Sequence, residues 1–159
     1  MKQQKTATFG AGCFWGVEVA FQKVEGIIST SVGYMGGHFP NPSYLDVLSR
    51  ITGHAEVVQF EYDCEIISYN NLLNIFWSIH DPTQFNRQGA DRGEQYRSVI
   101  FYHDREQEMI AKKSKHQLEM SGKYEQPIVT QIKPAGEYYL ADESHQKYYQ
   151  KKNLISQTY

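Results

Sequence analysis

The chain reads as helices packed on a sheet, an α/β or α+β sandwich, and three observations predict it. Apolar and polar residues alternate over short runs near 5–9, 55–62 and 96–102, the period of half-buried strands. Between them Val17, Ala20, Phe21 and Val24, then Leu72, Leu73, Phe76 and Ile79, recur at helical spacing. At 159 residues, with no internal repeat or linker, one domain over 1–159 can bury a core without metals or disulfide staples.

The elements follow in order. A strand near Lys5–Phe9 breaks at Gly10-Ala11-Gly12, and a helix from Phe14 to Val24 is closed by Gly26. Ile27–Tyr34 is a second strand, and Met35 to Pro42 is a loop punctuated by Gly and Pro. A short segment at Tyr44–Leu48 fits no single period. Ala55–Tyr62 alternates as a strand, and Ser68 caps the helix that carries Leu72 to Ile79. After Asp81-Pro82, residues 83–95 are polar and aperiodic, a length that marks a functional or disordered loop in so small a domain. Tyr96–Tyr102 is a strand, and Asp104–Met120 is a polar helix whose Asp104-x-x-Gln107 start resembles a capping box. Ile128–Lys133 is a last strand, and the tail holds a short helix near Ser144–Tyr149.

Composition narrows the partners. A net charge of −2 and a pI near 6.3 argue against a nucleic-acid scaffold, and the lysines at 112–115 and 147–152 lie among glutamines and acidic residues, as on solvated helix faces. The start, Met-Lys-Gln-Gln-Lys, lacks an apolar leader, and no run approaches the roughly 18 apolar residues of a membrane span. A soluble, cytoplasmic protein is the expectation. Two cysteines are too few for a disulfide framework or a thiolate zinc site, and the six histidines are dispersed, so no metal or cofactor is expected. Some of the 12 tyrosines need polar partners if buried.

Chemistry concentrates at Gly12-Cys13-Phe14-Trp15-Gly16. Cys13 falls at or just before a first helical turn, where unpaired N–H groups and the helix dipole favour a thiolate. A lone cysteine is otherwise a small buried hydrophobe, but the flanking glycines and adjacent aromatics favour a reactive centre. Glu56 shares a strand face with Val58 and Phe60. Taken alone, a strand glutamate points to water; on an apolar face it must protonate or find a partner.

Four blocks carry a resemblance: Gly12-Cys13-Phe14-Trp15-Gly16, Gly33-Tyr34-Met35-Gly36-Gly37, Thr52-Gly53-His54-Ala55-Glu56-Val57-Val58, and Gln88 through Ser98. In this order they resemble the A-type peptide methionine sulfoxide reductases, over about 8–149. The resemblance implies an α/β two-layer plait, ferredoxin-like, and reduction of the S epimer of methionine sulfoxide, free or in proteins, as repair under oxidative stress. Cys13 would attack the sulfoxide sulfur and Glu56, held neutral, would give a proton to the oxygen. Tyr44 and Tyr96 would hydrogen-bond that oxygen, Asp91 would join a water-linked network, and Phe14 and Trp15 would form the wall for the methyl group. Either tyrosine could equally cap a core edge, and Phe14 could be ordinary core.

The reaction leaves a sulfenic acid on Cys13 that something must reduce. Many relatives carry further cysteines in a C-terminal extension; here only Cys64 is left, in a turn position where the family usually has proline. Eight residues of strand beyond Glu56 put it roughly 26 Å away. The expectation is a one-cysteine mechanism with thioredoxin, glutaredoxin or a small thiol as reductant. Two alternatives stay open: a thiol peroxidase, which has no obvious need of Glu56 as proton donor or of Trp15 as a methyl wall, and a non-enzymatic module that binds methionine side chains in an aromatic pocket. Release of methionine from its sulfoxide, with and without Cys13→Ser, separates them. A cysteine hydrolase lacks a convincing base, His54 being only suggestive and His145 lying in the tail.

Overall fold

In the computed structural model, which describes residues 4–157, alternation and capping set the element order. The chain runs β1 (Gln4–Ala11), α1 (Phe14–Gln22), β2 (Ile27–Met35), α2 (Tyr44–Leu48), β3 (Ala55–Asp63), α3 (Tyr69–Ser78), β4 (Arg87–Gln88), β5 (Asp91–Arg92), β6 (Ser98–Tyr102), α4 (Arg105–Met120), β7 (Gln131–Pro134), β8 (Tyr139–Leu140) and α5 (Tyr148–Gln157). Six strands form one sheet in the order β7-β6-β1-β3-β2-β8. β1 lies antiparallel to β3 and β6, and β2 antiparallel to β3, so the inner four make the two interleaved βαβ units of a ferredoxin-like plait. β7 runs parallel to β6 at one edge, and β8 pairs with the end of β2 at the other.

The helices cover one face. Phe9, Val58 and Phe60 from the sheet pack with Phe21 of α1, Leu72, Leu73 and Phe76 of α3, and Ala111 of α4. On the opposite face Met35, Ala55, Val57, Val99 and Phe101 lie under Ala135 and Tyr138. β3 therefore alternates as expected, with Glu56, Val58 and Phe60 on the helix side.

The caps explain several boundaries. Ser68 accepts the Asn71 N–H at 3.1 Å. Asp104 accepts from Gln107 N–H at 2.8 Å, but the Gln107 side chain returns to the His103 N–H, one residue short of a reciprocal box, and also donates to the Thr6 carbonyl. A complete box instead starts α2, where Ser43 and Asp46 exchange both bonds, which turns an ambiguous segment into a helix. The polar stretch 83–95 is ordered, with a β4–β5 hairpin leading to a 3-10 turn at Glu94–Tyr96. The last main strand starts at Gln131 rather than Ile128, and the tail divides into a 3-10 turn, Glu143–His145, and α5.

Candidate active site

β1 ends at Ala11, and Gly12 makes the turn into α1 with φ of +100°; a Cβ there would lie 2.9 Å from that of Gln88, so the position needs glycine on both counts. Cys13 is the N-cap of α1. The N–H groups of Trp15 and Gly16 point at its sulfur and favour ionisation, as a helix start should. Burial nonetheless pushes the thiol up to about 11, with the carboxylates of Glu56 and Asp91 adding to the shift. The helix start favours the thiolate as expected, but desolvation outweighs its two backbone hydrogen bonds.

Glu56, 1% exposed, faces the start of α1 from β3, and its Oε1 accepts the Phe14 N–H at 3.1 Å. Its Oε2 is buried without a hydrogen-bond partner. Burial raises its pKa to about 8 against that one stabilising bond, with Asp91 contributing, so the carboxyl is neutral at pH 7.

The other expected residues converge here. Tyr44 begins α2, and Tyr96 ends the 3-10 turn before β6. Both phenols are held protonated, first by burial and then by the field of Glu56. Asp91, exposed on β5, acts electrostatically on Cys13, Glu56 and both tyrosines. Phe14 is buried among Val32, Tyr34 and Val47, so its ring is a floor of the site while its backbone holds Glu56. Trp15 is half-buried and stacks at 6.3 Å on Tyr44.

A family model described as peptide methionine sulfoxide reductase matches residues 5–159. Peptide methionine sulfoxide reductase MsrA 1 of Nostoc sp. is 68% identical over 145 residues, 91% of this chain and 89% of that protein. The chain belongs to the peptide methionine sulfoxide reductase family. Among solved structures, Mxr1 of Saccharomyces cerevisiae in reduced form is similar with a TM-score of 0.88 and 35% identity, over 94% of this chain and 86% of that one. Mxr1 in complex with Trx2 aligns with a TM-score of 0.65 and 27% identity, over 91% and 84%.

The sequence reading missed how the tail completes this methionine sulfoxide reductase site. Trp15 stacks face to face on Tyr148 at 3.9 Å, and its Nε1–H donates to His145 Nδ1 at 3.2 Å. The Gln146 side chain takes the Val32 N–H and donates to the Val32 and Ala141 carbonyls, as a strand would. Buried Glu18 accepts the Lys147 N–H and the Thr30 hydroxyl. These bonds fix His145 and Tyr148 over Trp15. Contacts across about 130 positions leave no periodic trace; the one local signal was the density of aromatic and amide residues from His145 to Tyr149.

Neither histidine is placed as a base for Cys13. His54 accepts the Gly37 N–H through Nδ1, so its proton sits on Nε2 and faces the Phe39 carbonyl at 2.7 Å. It clamps the loop before β3. His145 Nδ1 is engaged by Trp15, and burial lowers its pKa. What remains beside the thiol is a neutral carboxyl and two phenols, a set that can protonate an oxygen while sulfur attacks sulfur. Methionine sulfoxide reduction, the reaction of this oxidoreductase in protein repair, needs that combination.

Proposed function

We propose that Cys13 is the nucleophile and only redox cysteine of this enzyme, with Glu56 as proton donor, and that one domain over 1–159 carries the reaction. The observation that carries this reading is the neutral, buried Glu56 carboxyl facing the N-cap thiol, one oxygen held and the other open. The Cys13 sulfur attacks the sulfoxide sulfur, Glu56 gives its proton to the oxygen, and the thiol proton returns to the carboxylate. The new S–S bond then breaks as the hydroxyl passes to Cys13, leaving methionine and a sulfenic acid. Two electrons have moved from the cysteine sulfur to the sulfoxide sulfur.

Tyr44 and Tyr96, both protonated, donate hydrogen bonds to the oxygen as its charge changes. Asp91 joins their network and helps keep Glu56 neutral. Phe14 and Trp15 receive the methyl group of the S epimer, where sulfur–aromatic contact is favourable. An external thiol condenses with the sulfenic acid and releases water; a second thiol then restores Cys13 and leaves as a disulfide. Thioredoxin fits this role, supported by the yeast relative's complex, and glutaredoxin or a small thiol would balance the same way. No helix among the described residues is long and apolar enough to cross a membrane, and the need for a thiol reductant supports the cytoplasm.

The test is direct. Cys13→Ser abolishes conversion of methionine sulfoxide to methionine, and one equivalent of substrate makes wild-type Cys13 reactive to dimedone. Turnover by the serine variant would sink the proposal.

A further inference from the structure

Next to the reactive centre lies a surface cavity of about 490 Å3 lined by Tyr34, Tyr44 and His145. Tyr44 lies in the electrostatic reach of Cys13, and His145 holds Trp15. That volume lies within the range of ligand pockets. Its lining also includes Leu45 of α2, Leu140 of β8 and Asp142. Leu45 is 74% exposed and Leu140 63% exposed. A single exposed leucine needs no explanation, but two on one cavity whose wall includes Tyr44 form a patch that water solvates poorly. Asp142 is exposed and, among the described residues, no cation pairs with it. β8 is also the sheet edge, where an extended chain can lie alongside.

The geometry of the substrate supplies the occupant. A methionine sulfoxide whose side chain reaches Cys13 leaves its own backbone at the pocket mouth. Each neighbouring residue then lies roughly 3.3–3.6 Å further along an extended chain. We propose that this cavity is the subsite for the polypeptide flanking the oxidised methionine. Leu45 and Leu140 receive an apolar side chain one or two residues away, and the Asp142 carboxylate disfavours an acidic one. The proposal rests on sulfoxide reduction at Cys13 and adds to it a preference for sulfoxide within extended, apolar or basic sequence.

The test compares N-acetylmethionine sulfoxide with blocked peptides in which leucine, lysine or glutamate flanks the sulfoxide. Activity of the wild type on the N-acetyl compound tests the reaction itself, separately from the subsite. The wild type favours the leucine and lysine peptides over the glutamate peptide, and Asp142→Asn narrows that gap. Leu45→Glu and Leu140→Glu each lower the ratio of kcat/KM for the leucine peptide to that for the N-acetyl compound by about tenfold. Both leucines are solvent-facing, so near-UV circular dichroism like that of the wild type is expected. An unchanged ratio in both variants overturns the proposal. So does a selective rise in KM for the reducing protein, which would make the surface the reductant's.

Discussion

Glu56 and Phe60 lie four residues apart on the same face of β3, and both are 1% exposed. Around Phe60 the rings of Phe9, Phe21 and Tyr62 fill the space, with centroids 4.7 to 6.4 Å away. At Glu56 polar groups are left without partners: its own Oε2 and the hydroxyl of cross-strand Tyr34. Equal burial thus has opposite energetic sense along one strand. At Phe60 it removes apolar surface from water, which stabilises. At Glu56 it withholds hydrogen bonds from groups that want them, which costs stability and leaves the site able to form those bonds with a substrate oxygen. The packed two-layer core holds the unsatisfied end in place.

Substitutions at the two positions separate these roles most sharply. Glu56→Gln keeps the shape and the bond from the Phe14 N–H but removes the transferable proton, and kcat falls by about 10²- to 10⁴-fold with little loss of stability. Phe60→Ala leaves the chemistry in place and costs about 3–5 kcal/mol in urea unfolding. If Glu56→Gln unfolded the protein as readily as Phe60→Ala, the carboxyl would be a structural residue and the contrast would fail.

The pH dependence of wild type and Glu56→Gln gives a finer break. A carboxyl at about 8 in the folded state and near 4.5 unfolded binds more protons when folded throughout that window. Unfolding therefore becomes easier as pH rises from about 4.5 to 8, by at most about 1.4 kcal/mol per unit, and this contribution is flat beyond. Glu56→Gln flattens the slope. For turnover, the reactive form has Glu56 protonated beside the Cys13 thiol, so kcat/KM holds below pH 8 and falls up to about tenfold per unit above it. A rise through pH 8 to a plateau would instead mean that Cys13 reacts as a thiolate beside protonated Glu56.

Which parts of this contrast were legible in the sequence follows from the range of the forces involved. Alternation along β3 placed Glu56, Val58 and Phe60 on one face because side-chain direction is a local property of a strand. Ser68 and Asp104 were legible as caps for the same reason, since their bonds close within three residues. The roles of Tyr44, Tyr96 and Asp91 are legible only through the family resemblance, whereas Cys13 is also marked by its flanking glycines and helix start. The two-residue strands β4, β5 and β8 are too short to carry a period. The protonation of Cys13 is not legible in the sequence because desolvation is set by the whole fold, while the helix-start N–H groups that oppose it are local. His145 and Tyr148 reach Trp15 only once Gln146 and Glu18 have fixed the tail.

The smallest expected effect lies at the other end of β3. Cys64 follows Asp63 in a turn closed by the Asp63 carbonyl, which accepts from Ile66 and Ile67, and by its carboxylate, which accepts from Glu65. A disulfide needs its two Cα atoms within roughly 7 Å, whereas eight residues of extended strand between Glu56 and Cys64 span roughly 26 Å. Bringing Cys64 to Cys13 would require pulling β3 from between β1 and β2, where its whole length is paired. Cys64→Ser therefore turns over within about twofold of wild type with dithiothreitol as reductant, the range left to a conservative change remote from the reacting atoms. Peptide mapping after one equivalent of substrate decides the point. A stoichiometric Cys13–Cys64 disulfide would mean that β3 leaves the sheet during recycling, and the rigid end of the strand would then be the mobile one.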